Sequence, residues 1–166
     1  MAKLEAKWLN NRCLVLYNNK IEKGVLIYPK LSFWNWGGRA VTLRVAAGKT
    51  YELQSKLFSR GCTVKCNDEI YIKSDWNWLT EIDIATEIPN YKSKLKMKFR
   101  FWFPKSCELL NEKKETLMMI TRRFNWRLFR WEYTIVCSDL MPSEEVGSLI
   151  TLTSLYYFRQ IILFYW

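Results

Sequence analysis

Between residue 12 and about residue 137, apolar and polar positions alternate with a period of two. Val41, Leu43 and Val45 are interleaved with Thr42 and Arg44, and Tyr51 and Leu53 with Glu52 and Gln54. Ile70 and Ile72 alternate with Tyr71 and Lys73, and Ile82 and Ile84 with Glu81 and Asp83. Successive side chains of a strand point to opposite faces, so this pattern predicts strands with one buried and one wet face. Further apolar or alternating runs at 13–17, 24–28, 62–66, 95–103, 107–110, 116–121 and 129–136, with a weaker segment at 4–9, bring the count to about twelve. Asn18-Asn19, Gly48, Cys66-Asn67-Asp68 and residues 111–114 are short polar interruptions of the kind that close hairpins. Short strands at even spacing predict a closed or sandwiched antiparallel sheet.

After Val136 the pattern changes. Pro142 breaks the chain, and Ser143 can cap a helix whose first turn carries Glu144 and Glu145, as a helix N-terminus favours. From Val146 to Trp166 the one charged residue is Arg159. A helix that is apolar nearly all round is buried in protein or in lipid. At ~1.5 Å per residue it would run roughly 30 Å, long enough for either. In lipid it would be a tail anchor, with Arg159 in mid-span at a cost of roughly 2.5–3.5 kcal/mol. In protein it would fill a barrel of about twelve strands, too wide for side chains alone to fill. The arginine decides for the protein home. The chain therefore reads as one mainly β domain over 1–166: a closed antiparallel β-barrel over about 4–138, with a hydrophobic C-terminal helix over about 143–166 through it.

Charge changes the picture next. The 166 residues hold 26 Lys+Arg against 16 Asp+Glu, a net +10 that favours anionic partners. Histidine is absent, which removes Ser-His-Asp and Cys-His nucleophilic sites, His-ligated zinc and histidine bases together. Five cysteines, with no CxxC pair, read as reduced buried thiols. No catalytic set, metal site or cofactor is expected, and the oligomeric state is left open. The opening MAKLEAKW lacks the apolar run and cleavage site of a secretory signal. The expected location is cytoplasmic and peripheral on a membrane, with the tail anchor as the alternative.

Two basic groups stand out. Lys92, Lys94, Lys96, Lys98 and Arg100 alternate with Leu95, Met97, Phe99, Phe101 and Phe103, so five cations share one strand face about 6.6 Å apart at ~3.3 Å per residue. That spacing suits several phosphates or headgroups at once. The competing reading is a salt ladder, because the preceding strand presents Glu81 and Asp83, with Glu87 in the following turn. The second group is Arg122, Arg123, Arg127 and Arg130, with Glu132 nearby. Aromatic corners recur beside basic residues: Phe33-Trp34-Asn35-Trp36 after Lys30, Trp76-Asn77-Trp78 after Lys73, Phe101-Trp102-Phe103 after Arg100, and Phe124-Asn125-Trp126 after Arg123. These read as packing at barrel corners, or as stacking platforms for bases.

A barrel of about twelve strands with such corners and a terminal 149–166 helix resembles the tubby-like superfamily. That superfamily comprises tubby C-terminal domains, phospholipid scramblases and LURP-one-related proteins, and the chain looks closest to short single-domain bacterial members. The resemblance implies phosphoinositide or other lipid contact, but it carries over no individual residue. The scramblases' acidic calcium-binding segment has no counterpart in this sequence. The expected function is a non-enzymatic binding domain docking on anionic lipid headgroups through Lys92, Lys94, Lys96, Lys98, Arg100, Arg122, Arg123, Arg127 and Arg130. The alternatives are single-stranded nucleic-acid binding and a structural interaction module with no small ligand.

Overall fold

The computed structural model describes residues 2–29, 40–55, 61–77, 80–99 and 105–164, with the backbone alone for 162–164. Its strands are β1 (Ala2–Asn10), β2 (Cys13–Asn18), β3 (Ile21–Ile27), β4 (Ala40–Val45), β5 (Thr50–Ser55) and β6 (Gly61–Cys66). They continue as β7 (Glu69–Asn77), β8 (Glu81–Ile88), β9 (Tyr91–Phe99), β10 (Ser106–Leu110), β11 (Thr116–Asn125) and β12 (Arg130–Cys137). A single helix, α1 (Glu144–Phe164), follows. Every strand pairs antiparallel with the one before it. β12 then returns to β1, with Ala2 opposite Cys137 and Ala6 opposite Tyr133. The sheet closes into a barrel with no free edge, the one of the two forms allowed by the alternation that the apolar helix selects.

Up-and-down connectivity sorts the connections onto two rims. One rim carries the tight turns after even-numbered strands, where positive φ falls mostly on Asn, Asp and Gly (Asn19, Asn67, Asp68, Asn90 and Gly48) and also on Lys20 and Lys114. Asn, Asp and Gly suit the left-handed region that two-residue hairpins demand. The other rim, here the far rim, is formed by the ends of odd-numbered strands, among them Asn10 and Asn125.

The helix runs through the lumen. Leu149, Ile150, Leu152, Leu155, Tyr157 and Phe158 are buried together with Thr151, Thr153 and Ser154, so no face of this stretch meets water. Its side chains touch the wall on every side. Thr151 lies against Met118 of β11, Tyr156 donates to Ser55 of β5 at 3.3 Å, and Tyr157 shares a hydrogen bond with Ser74 of β7. Phe158 packs on Phe99 of β9 and Tyr133 of β12. Hydroxyls inside an apolar lumen need partners, and Thr151 and Thr153 donate to the carbonyls of Gly147 and Leu149, one turn back. At the tight-turn rim, Glu144 meets Lys23, and Glu145 meets Lys49 at 2.8 Å. The wall makes room for the helix at Gly24, where an added Cβ would lie 2.8 Å from both the Arg44 carbonyl and Leu152.

The apolar sets called out by the alternation face inward, including Val41, Leu43, Val45, Ile82, Ile84, Leu95 and Met97. All five cysteines are free, and burial pushes the Cys62 and Cys137 thiols up to about 11. Among the described residues no helix is long and apolar enough to cross a membrane.

Removing the chain from Ser143 onward takes eight large buried side chains from the lumen, from Leu149 to Ile161. At roughly 1.5–3 kcal/mol for each, the gross loss is comparable to or larger than the ~5–15 kcal/mol by which domains are stable. The truncated protein is expected to show no cooperative thermal transition by circular dichroism.

Candidate functional site

The lysine row lies where the sequence places it, and it is largely neutralised. Lys92, Lys94, Lys96 and Lys98 face outward on β9 while Leu95, Met97 and Phe99 face the lumen. Register sets Glu81 opposite Lys98, Asp83 opposite Lys96 and Glu87 opposite Lys92. Lys96 stands 3.1 Å from Glu81 and 3.6 Å from Asp83, Lys98 3.4 Å from Glu81, and Lys92 3.7 Å from Glu87. The Lys96 hydrogen bond holds the Glu81 carboxyl below the usual carboxylate range. Lys94 faces Ala85, and its backbone N–H donates to Glu112 at 2.9 Å. The salt ladder has formed. Arg100 lies outside the described residues, as do residues 33–36, Trp78 and 101–103 of the aromatic corners.

The arginine group divides by parity. Arg123 and Arg127 are exposed, Arg123 lying opposite Glu132 in the β11–β12 register. Arg122 does not belong to an outward face: it follows Met118 and Ile120 into the barrel and is only 8% exposed. Its guanidinium stacks 4.3 Å above the Trp131 ring, and its Nε and Nη1 are buried with no hydrogen-bond partner. Burial pushes its pKa below the ordinary value, and neighbouring Tyr133 opposes the shift. It stays charged nonetheless, because guanidinium pKa values start so high. Arg130 donates to the Trp8 carbonyl, and its Nε is likewise buried without a partner.

Arg130 borders a cavity of about 960 Å³ at the far rim, where closure of β12 on β1 meets the end of α1. The helix contributes Arg159, stacked 4.1 Å above Tyr28 and 5.1 Å from the Trp8 centroid. Arg159 thus sits at the barrel mouth. Trp8, Phe124, Trp131 and Tyr133 supply the walls, and none of the described lining residues is acidic. Burial pushes Tyr133 up to about 12, with Tyr28 adding and Arg159 and Arg122 opposing. Three arginines and the walls thus gather around one mouth.

The hairpin between β11 and β12 projects from this mouth. Trp126 is 75% exposed, Leu128 50% and Phe129 79%, with Leu9 of the adjoining hairpin at 69%. The tip is ordered by its own contacts. Asn125 Oδ1 accepts from the backbone N–H groups of Arg127 and Leu128, and Phe124 meets Trp126, Phe129 and Trp131 edge-on at 4.8–5.8 Å. Phe129 sits at φ 51°, a left-handed conformation that costs a residue with a Cβ about 1–2 kcal/mol. A strained aromatic residue that gains almost no burial is unexplained by folding alone.

No family model, curated protein or solved structure matches the chain. The site is therefore argued from its own geometry.

Arg122 tests whether the mouth is built at the expense of stability. Its cation–π contact contributes ~0.5–2 kcal/mol, less than the several kcal/mol that desolvating an unpaired cation costs. Arg122→Met is expected to stabilise the fold by about 1 kcal/mol, read as a higher urea midpoint with an unchanged slope.

Proposed function

We propose that this protein is a non-enzymatic binding domain that docks on anionic membranes through its far rim. The observation that carries this is the β11–β12 tip: Trp126, Leu128 and Phe129 exposed together, beside Arg123 and Arg127. Among the described residues no carboxylate forms an ion pair with either arginine. Aromatic and aliphatic side chains at a tip enter the headgroup region, and each nearby cation adds about 1 kcal/mol at an acidic surface. The net charge of +10 steers the approach. The lysine row contributes little to this reading, since its neighbours on β8 already neutralise much of it.

A closed barrel around a C-terminal helix supports the tubby-like resemblance, and membrane docking agrees with what that resemblance implies. Peripheral membrane location is part of the same proposal. Single-stranded nucleic acid is the second reading, favoured by one observation: the Trp126 ring is exposed next to Arg127. Leu9 and Leu128, exposed at the same rim, favour lipid, because aliphatic side chains offer bases no stacking surface.

Flotation with phosphatidylglycerol vesicles, phosphatidylcholine vesicles and a single-stranded DNA titration tests the two readings. Binding is expected to the anionic vesicles alone and to weaken as salt rises, since exposed charges act within ~8 Å at physiological ionic strength. Phe129→Gly should relieve the left-handed strain, leave the thermal midpoint equal or higher, and lower vesicle affinity about tenfold. Changing Lys94, Lys96 and Lys98 together to Gln should lower it about twofold. A tenfold loss in that triple variant with none in Phe129→Gly would move the docking face to β9. Binding to DNA alone would replace lipid with nucleic acid.

A further inference from the structure

The cavity behind the docking rim has features that a surface patch does not need. Its volume of about 960 Å³ is in the upper part of the ~300–1,000 Å³ range of small-molecule sites. Its polar groups include two cations, Arg130 and Arg159, and no described lining residue offers them a carboxylate. Arg130 holds one nitrogen on the Trp8 carbonyl and leaves Nε buried without a partner. A buried donor without a partner costs free energy unless something else satisfies it. The rest of the lining is mainly aromatic and aliphatic, and it shares Trp126, Leu128 and Phe129 with the docking tip.

We propose that this cavity holds one molecule of an anionic amphiphile, its acidic head on Arg130 and Arg159 and its unbranched tail along Phe124 and Trp131. Guanidinium forks match the oxygens of a phosphate or carboxylate and bind them through charge-assisted hydrogen bonds. Apolar walls give the tail the burial that a free inorganic anion has no use for. The barrel mouth also receives the C-terminal end of α1, whose partial negative charge disfavours anions. The arginines therefore carry the attraction, and affinity should depend steeply on them. The inference rests on the docking reading, which brings the mouth against a surface where such amphiphiles reside.

The test titrates the full chain with decyl phosphate below its critical micelle concentration, followed by tryptophan fluorescence and calorimetry. Decanol and inorganic phosphate are titrated alongside. Saturable one-to-one binding of decyl phosphate is expected, at least tenfold weaker binding of decanol, and no saturation by inorganic phosphate. Arg130→Gln and Arg159→Gln should each weaken decyl phosphate at least fivefold, with the thermal transition of each variant recorded. If Arg159→Gln fails to fold, Arg130→Gln decides alone, because its side chain stands at the rim. Absence of saturation, equal affinity for decanol, or unchanged affinity in the folded variants would overturn the proposal. Inorganic phosphate binding as tightly as decyl phosphate would overturn the tail. Vesicle binding without uptake of decyl phosphate sinks the cavity ligand and spares the docking reading. Uptake without vesicle binding sinks the docking reading, keeps the cavity ligand, and makes its source the free amphiphile.

Discussion

The whole molecule depends on filling a lumen that twelve strands make too wide for their own side chains. α1 answers that need, and its composition is intelligible only inside a wall. A span that buries Leu149, Thr151, Thr153, Leu155 and Phe158 on different sides has no wet face to orient it. The threonines are tolerated because they donate to their own helix, and Tyr156 and Tyr157 because Ser55 and Ser74 meet them. Closure removes the sheet edges that an open form would expose to aggregation. The helix and the closed wall are one structural decision.

Local parity was legible in the sequence, and long-range convergence was not. Alternation at Val41–Val45 and Ile82–Ile84 assigns faces without further help, and the carboxylates of Glu81 and Asp83 were visible as partners of the lysines. Arg122 was misplaced because four nearby arginines look like one patch, although the alternation of Met118 and Ile120 already turns it inward. The mouth itself has no linear signature. Trp8, Tyr28, Trp131 and Arg159 come from four separate stretches of chain, and only β1–β12 pairing together with the depth of the helix makes them neighbours. The exposed tip was partly readable as an aromatic corner, but not the left-handed backbone at Phe129.

The two rims divide the costs unequally. At the tight-turn rim positive φ falls mainly on Asn19, Asn67, Asp68, Asn90 and Gly48, with Lys20 and Lys114 the exceptions, and the helix N-terminus is tied down by Lys23 and Lys49. At the far rim a phenylalanine occupies the left-handed region, a tryptophan stands in solvent, and a guanidinium is buried without an acid. Three departures of different kinds meet at the far rim, and departures of this kind concentrate where a protein works rather than where it is held together.

Pairing of β1 with β12 also sets the order in which the molecule can come into being. Ala2 waits for Cys137, and the lumen waits longer still, for the helix that follows. As the chain leaves the ribosome, each new hairpin can form locally while its apolar face has nothing to cover it. The leading strand keeps an open edge through all of that time. Such distant contacts close slowly, and the half-made barrel is the species most exposed to mispairing with its own copies. The finished wall has no edge, yet the nascent sheet keeps one open until Arg130–Cys137 have been made.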